Sequence, residues 1–283
     1  MSLCIGLCVY KNEFGLPFVF KNIERIQTIF PEQKIEIIVA YEESADCSLG
    51  FLLSKLDTFH IHILKNYNTE KYMYHNGYIS NARNQILDYI REKIPLTKYL
   101  IMMDSNEYAC VGDIQLDVLK DVFIREKEWD AVSFDREAGY YDYWALSTDP
   151  FIYSFLHTDD TDFVLDKMKT NLKIEFENAR EKKAFVKVYS AFNGFAIYKW
   201  SVFQDCKYSI DIDLSLFPDK TLERQLDETG IKFIPVFKNA YDCEHRHFHL
   251  QAIKTKNARI RIYPKSLFAT FQGEKMKNCR GPC

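Results

Sequence analysis

Short apolar runs alternate with longer amphipathic segments over the first 135 residues of the chain. Apolar runs rich in β-branched residues are typical of buried strands, and apolar residues spaced three or four apart are typical of helices. The predicted strands are LCIGLCVY (3–10), KIEIIVAY (34–41), FHIHILK (59–65), KYLIMMD (98–104) and WDAVSFD (129–135). The predicted helices are LPFVFKNIERIQTIF (16–30), SLGFLLSKL (48–56), ISNARNQILDYIREKI (79–94) and IQLDVLKDVFIREKE (114–128). This order predicts an α/β fold in which a mostly parallel sheet is flanked by helices.

The pattern changes after residue 135, where aromatic loops precede a charged helical stretch near 160–183. The later predicted elements are two strands (184–192 and 195–200), a helix (247–257) and a last strand (258–268). No internal repeat or low-complexity linker separates the halves. We therefore expect one domain over 1–272, built from halves 1–135 and 136–272, and a polar tail over 273–283.

Composition and charge narrow the function classes. The chain has 283 residues, 47% of them hydrophobic, and its 37 basic and 40 acidic residues leave a net charge of -3, which gives no overall reason to bind nucleic acid or anionic lipid. It contains no run of about 18 apolar residues and no signal-peptide pattern at its start. Eight cysteines are scattered without a CxxC pair. We therefore expect a soluble cytoplasmic protein with reduced thiols.

Polar side chains follow two of the predicted strands directly. The fourth strand runs into Asp104, Ser105, Asn106 and Glu107, and the second runs into Glu42, Glu43 and Asp46. Because ligands of open parallel sheets bind at the carboxyl ends of strands, these oxygens suit hydroxyls and a divalent cation. Helix capping is the structural alternative for either cluster. Arg83 and Asn84 lie on the intervening helix, where Arg83 is either a partner for a phosphate or a surface arginine.

This arrangement resembles the nucleotide-sugar-binding half of glycosyltransferases with the GT-A fold. The matching features are the E-x-S-x-D loop at 42–46, the ARN helix and the apolar strand that ends at Asp104. The resemblance implies that Asp104 holds the ribose and a Mn²⁺ or Mg²⁺ ion that bridges the diphosphate. It implies a donor site, for a UDP-sugar first and a GDP-sugar second, formed by Tyr10, Asn12, Glu43, Asp46, Arg83, Asn84, Asp104 and Ser105. Asn106 stands where the family usually has its second aspartate, and its amide oxygen can ligate a metal but brings no charge.

The second half carries features that match the acceptor side of the same family. Asn193 and Gly194 match a strand segment of the acceptor site, and Glu244 matches the acidic residue that begins a late helix. The resemblance implies that Glu244 removes the proton of the acceptor hydroxyl and that His245 ligates the metal. An alternative is a zinc site, since Cys243, His245, His247 and His249 alternate and would share one face of a strand. On a helix that set would disperse.

The stretch GYYDYWAL surrounds Asp142 with aromatic residues. Sugars pack their CH-rich faces on aromatic rings and bond carboxylates through their hydroxyls, so Asp142 is a second catalytic candidate and Tyr141 and Trp144 are acceptor-binding candidates. An aromatic core strand is the structural alternative. The stretch resembles segments of glycosyltransferase-like proteins of bacteria, fungi and large DNA viruses, and in the last case the host cytoplasm would be the compartment.

The sequence therefore predicts a glycosyltransferase that moves a sugar from a nucleotide-diphosphate-sugar to an acceptor hydroxyl of a glycan or glycoconjugate. A non-catalytic nucleotide-sugar or glycan-binding module of the same fold is the first alternative, motivated by Asn106. A nucleotidyltransferase is the second alternative. It is disfavoured because that class normally carries a glycine-rich basic loop after the first strand, where this chain has only Lys11 and Gly15. A zinc hydrolase built on residues 243–249 is the third alternative.

Overall fold

The computed structural model describes residues 2–65, 75–106, 112–137, 139–234 and 241–269. Its strands are β1 (Ser2–Val9), β2 (Ile35–Tyr41), β3 (His60–Lys65), β4 (Thr97–Asp104), β5 (Asp113–Ile114), β6 (Ala131–Asp135), β7 (Val186–Val188), β8 (Phe195–Lys199), β9 (Ile260–Ser266) and β10 (Phe268–Ala269). Its α-helices are α1 (Leu16–Gln27), α2 (Ser48–Ser54), α3 (His75–Lys93), α4 (Leu116–Ile124), α5 (Thr161–Glu181), α6 (Trp200–Phe203), α7 (Thr221–Thr229) and α8 (Glu244–Lys256). Glu107 and the predicted polar tail lie outside the described residues.

Eight of these strands form one twisted sheet in the order β3-β2-β1-β4-β8-β6-β9-β7. Strands β3, β2, β1 and β4 are parallel, and so are β6 and β9. Strand β8 runs antiparallel between β4 and β6, and β7 runs antiparallel to β9 at the edge. The predicted α/β fold with a mostly parallel sheet is confirmed. Because β8 and β9 come from the second half, both halves contribute to the same sheet.

The sheet is buried on both faces because its side chains alternate between two cores. In β1, Leu3, Ile5 and Leu7 pack toward α1, α2 and α4, whereas Cys4 faces the opposite core. That opposite core also receives the apolar faces of α3, α5 and α8. Such two-sided burial explains why the strands read as continuous apolar runs.

Some element boundaries differ from the predictions. Helix α3 begins at His75, four residues before the predicted start at Ile79, although Gly77 lowers helix propensity in its first turn. The side chain of Asn76 donates a hydrogen bond to the backbone oxygen of Asp242 (2.8 Å), a long-range contact that holds this turn. Strand β7 covers only three residues of the predicted 184–192 run, because only these pair with β9.

Within the described residues, no helix is both long and apolar enough to span a lipid bilayer. Cys4, Cys8, Cys206 and Cys243 carry free thiols. Cys47 is in a disulfide, so the prediction of reduced thiols is wrong for that residue.

Candidate functional site

A cleft of about 640 Å³ opens at the carboxyl ends of β1, β2 and β4. The first half of α3, the loop at 141–144 and the start of α8 close its other sides. Eleven of the residues singled out in the sequence line it: Tyr10, Asn12, Arg83, Asp104, Ser105, Asn106, Tyr141, Asp142, Trp144, Glu244 and His245. The parallel strands bring their ends to one edge, which is where ligands bind in open α/β sheets.

Arg83 lines this cleft and pairs with one acid from each half of the chain. Its side chain is only 4% exposed, and it donates to Asp104 Oδ1 at 3.0 Å and to Glu244 Oε1. Its guanidinium also lies over the ring of Phe192, 4.8 Å from the centroid. Burial alone would lower the pKa of Arg83, but the two carboxylates outweigh it and raise that pKa. The surface-arginine alternative is therefore wrong.

Three carboxylates surround this single cation. Burial raises the pKa of Asp104 to about 6. The positive charge of Arg83 opposes this shift, whereas the negative charges of Asp142 and Glu244 raise the pKa of Asp104 further. Burial likewise raises the pKa of Asp142 and of Glu244. Among the described residues, four acids and one arginine line the cleft, since Glu42 lines it as well, and this excess of acids favours the entry of a further cation.

Glu244 is the first residue of α8 and is 5% exposed. A second buried ion pair holds this helix end, since Arg246 Nε donates to Asp242 Oδ2 at 2.7 Å. Arg246 also donates to the backbone oxygens of Leu146 (3.0 Å) and Trp144. It thereby fixes the aromatic loop beside Glu244. The sequence reasoning missed Arg246, although its spacing of four residues from Asp242 was a signal for an ion pair at the start of a helix.

Asn193 and Gly194 position other residues of the cleft and lie outside its lining. Both have left-handed backbone angles, with φ of 58° and 82°. Asn193 Oδ1 accepts from the backbone nitrogens of Tyr141 (3.1 Å) and Asp142 (3.4 Å), and the Gly194 oxygen accepts from the Asp104 nitrogen (2.9 Å). Asparagine and glycine tolerate these angles better than other residues do.

Three predicted donor-site residues also lie outside the lining. Asp46 accepts hydrogen bonds from Ser44 Oγ (2.6 Å), Ser48 Oγ (2.7 Å) and the Glu13 nitrogen (3.1 Å), so it organises its own loop. Asn84 pairs with the backbone nitrogen and oxygen of Tyr208, both at 2.8 Å. Glu43 belongs to the same loop as Asp46, and its neighbour Glu42 lines the cleft instead.

The loop after β1 is packed tightly against the end of β4. Ser105 Oγ donates to the Cys8 oxygen (2.6 Å) and contacts Asn12 Oδ1 at 3.0 Å. A Cβ atom added at Gly15 would lie 2.1 Å from the Ser105 oxygen, so only glycine allows this approach. Tyr10, 44% exposed, therefore stands on a fixed loop at the mouth of the cleft.

His245 is buried in the cleft wall. Its side chain is 2% exposed and stacks on Phe192 at a centroid distance of 3.8 Å. Among the described residues, neither of its ring nitrogens has a hydrogen-bond partner, and Nε2 lies 3.8 Å from Glu244 Oε1. Burial, Arg83 and His249 lower its pKa, which keeps the ring neutral, the form that ligates metals.

The zinc alternative does not fit α8. Cys243 is the N-cap, and His247 lies near the Asp211 oxygen (3.4 Å), while His249 bonds Ser190 and Tyr198 within the core. Across the described residues, no group of three or more His, Cys, Asp or Glu side chains is placed to hold a metal ion. A divalent cation would therefore need oxygens from a bound diphosphate beside Asp104, Asn106 and His245. The unpartnered imidazole and the acidic surroundings fit such a shared site.

The cleft also contains residues that the sequence reasoning did not single out as site residues. They include Cys8, Asn76, Tyr78, Phe192 and Tyr241. Asn76 precedes Arg83 by seven residues and so lies on the same face of α3. That spacing was the signal that could have identified it.

No protein-family model and no curated protein sequence matches the chain. Among solved structures, it is similar to S. aureus TarS 1–349 (13% identity, TM-score 0.48, 95% of this chain and 59% of that one). The same fragment in complex with UDP gives 12% identity and a TM-score of 0.49 over equal shares. Glucosyl-3-phosphoglycerate synthase from Mycobacterium tuberculosis, in complex with Mn²⁺, UDP and phosphoglyceric acid, gives 10% identity and a TM-score of 0.40 over 82% of this chain and 66% of that one.

The chain thus spans about three fifths of the TarS 1–349 chains that it matches. Similarities at these identities, with TM-scores below 0.5, do not assign an activity to it.

Proposed function

We propose that this protein is a GT-A-type glycosyltransferase that moves a sugar from a nucleotide-diphosphate-sugar, UDP-sugars first, to an acceptor hydroxyl. The observation that supports this most is the buried cluster in which Arg83 links Asp104 at the end of β4 to Glu244 at the start of α8. It combines a cation for a leaving diphosphate with a carboxylate that can accept a proton. Both lie in one cleft at the ligand-binding edge of the sheet.

In a direct displacement, the acceptor oxygen forms a bond to the anomeric carbon while the bond from that carbon to the diphosphate oxygen breaks. The diphosphate leaves with the electron pair, and the proton of the acceptor hydroxyl passes to Glu244. Burial raises the pKa of Glu244, which makes its carboxylate a stronger base than an exposed one. Arg83 would stabilise the charge that develops on the diphosphate.

A divalent cation, Mn²⁺ or Mg²⁺, would be held by Asp104, Asn106 and His245 together with diphosphate oxygens. Such an ion supplies positive charge that stabilises the departing diphosphate. Asp104 would also bond the ribose. Tyr10 and Asn12 would border the nucleobase, and Tyr141, Asp142 and Trp144 would contact the sugars.

Thermal stabilisation by nucleotides tests this proposal, because a ligand that binds only the folded state raises its stability. The protein is heated with UDP, GDP, CMP or dTDP, each with Mn²⁺ or Mg²⁺ and again with EDTA. We expect one nucleotide to raise the Tm with metal, and the shift to disappear with EDTA and in Asp104→Asn. Asp205→Asn is the matched control, since Asp205 is 66% exposed and pairs with Lys256 on the surface.

Absence of a shift with every nucleotide would refute the proposed donor site. The binding-module alternative retains one favourable observation, the uncharged Asn106 beside Asp104. Release of free nucleotide from the stabilising nucleotide-sugar, lost in Glu244→Gln, would exclude that alternative. Binding without any release or transfer would support it.

A further inference from the structure

Among the described residues, twelve buried side-chain polar atoms have no hydrogen-bond partner, and five of them belong to residues that line the cleft. These five are Arg83 Nε, both ring nitrogens of His245, Asn76 Oδ1 and Trp144 Nε1. Nearly all buried polar groups in proteins have a hydrogen-bond partner, so unpartnered atoms that share one cleft point to a ligand. The proposed diphosphate and metal account for Arg83 and His245. They do not account for Asn76 and Trp144.

Asn76 Oδ1 can only accept a hydrogen bond, and Trp144 Nε1 can only donate one. Asn76 is 5% exposed, and its Nδ2 donates to the Asp242 oxygen at 2.8 Å, which identifies the other terminal atom as the amide oxygen, an acceptor only. The indole nitrogen of Trp144 is a donor only. A ligand that satisfies both atoms must donate one hydrogen bond and accept another, as neighbouring sugar hydroxyls do.

Their placement indicates which part of the ligand they would meet. Asn76 lies two helical turns, about 10 Å along α3, from Arg83, and it bonds the backbone two residues before Glu244. The backbone oxygen of Trp144 accepts from Arg246, two residues after Glu244. Both residues therefore contact backbone or side-chain groups that lie two residues from the proposed base. In the proposed reaction the transferred sugar must lie between that base and the diphosphate, and Asn76 and Trp144 line the same cleft.

The aromatic surroundings fit a sugar as well. The Trp144 ring meets the Tyr241 ring edge to face at a centroid distance of 6.1 Å, and both residues line the cleft. Asn76 Oδ1 and Trp144 Nε1 are both shielded from solvent in this structure. A ligand contact therefore requires a movement of the groups that cover them.

We propose that Asn76 and Trp144 determine the specificity for the transferred sugar, by accepting a hydrogen bond from one of its hydroxyls and donating one to another. This inference rests on the proposed glycosyl transfer. A pocket that bonds a substrate hydroxyl discriminates against analogues in which that hydroxyl is absent or inverted, because its own polar atoms are then left unpaired. Asn76 and Trp144 would thus distinguish epimers.

Calorimetric titration tests this assignment with UDP, UDP-glucose, UDP-galactose and UDP-N-acetylglucosamine, all in Mn²⁺. The variants are Asn76→Ala and Trp144→Phe, the second of which removes the N–H while keeping an aromatic face. Asn171→Ala is the control, since Asn171 is half-buried outside the cleft lining and its side chain donates to the Asp149 oxygen at 3.0 Å. For the preferred UDP-sugar, we expect the ratio of the UDP Kd to the UDP-sugar Kd to fall about tenfold in both variants. The affinity for UDP should stay within about twofold of wild type, because no nucleotide contact is removed.

Equal weakening of UDP and UDP-sugar would give these residues a structural role only and overturn the inference. Unchanged affinities for every UDP-sugar would overturn it as well. If wild type binds no nucleotide, the proposed function fails, and titration with methyl glucoside and methyl galactoside decides the inference separately. Saturable glycoside binding that is lost in both variants would then support it, and no glycoside binding would refute it.

Discussion

Replacement of Arg83 by methionine tests the electrostatics on which the candidate site depends. The substitution keeps much of the side-chain volume but leaves Asp104 and Glu244 without their shared cation. The Glu244 side chain is 7% exposed and that of Asp104 24% exposed, so water can compensate the second carboxylate better than the first. Removal of one partner from a buried pair costs about 3–5 kcal/mol. We expect a loss of that size in the free energy of unfolding.

Urea unfolding at pH 7 in EDTA measures this loss. The double variant Arg83→Met/Glu244→Gln should be at least about 1 kcal/mol more stable than Arg83→Met alone, because it contains no unpaired buried carboxylate at residue 244. Arg83→Lys should be intermediate, since lysine keeps the charge but cannot bridge both acids with the same geometry. Arg224→Met is the control, because Arg224 and its partner Asp149 are 42% and 58% exposed. That control should lose less than about 1 kcal/mol.

A loss in Arg83→Met as small as that of the Arg224 control would refute the reasoning. The carboxylates would then be solvated, and Arg83 could not be the cation that organises the cleft. Additive effects of Arg83→Met and Glu244→Gln would contradict a direct coupling between the two side chains.

Further predictions concern catalysis, the loop beside the site and acid stability. Glu244→Gln should lower sugar transfer by about 10²–10⁴-fold at unchanged nucleotide affinity, measured by nucleotide release. Asn193→Ala should lose about 2–4 kcal/mol, because Asn193 has a φ of 58° and its side chain bonds three backbone groups, and Asn193→Gly should be about 1 kcal/mol more stable than Asn193→Ala in urea unfolding. Burial opposes ionisation of Asp130, but the hydrogen bonds from Arg259 and the nearby Lys199 lower its pKa from 3.8 to about 2. Its stabilisation is therefore complete above about pH 4 and lost as the pH falls to about 2, and Asp130→Asn should lose roughly 2 kcal/mol at pH 7 but little at pH 2 in pH-dependent unfolding.

The sequence by itself determined the type of fold and the chemistry at one edge of the sheet. When apolar runs of strand length alternate with amphipathic helices, few architectures other than a parallel sheet covered by helices on both faces can bury the apolar side chains. Because parallel strands end at one edge, the polar residues that follow β2 and β4 were expected to converge there, and Glu42 and Asp104 do line the same cleft. The helical spacing after Glu244 likewise argued against a zinc site on residues 243–249.

Only the tertiary structure decided which polar residues face the cleft and which hold the fold. Asp46, Asn84 and Asn193 bond neighbouring loop or backbone groups instead of lining it, a choice that depends on distant segments folded against them. The pairing of Arg83 with Glu244 joins residues 161 positions apart, and it depends on the packing of α3 and α8 in the same core. Local periodicity contains no information on such contacts, because they are set by packing between elements whose order in the sheet the sequence pattern does not specify.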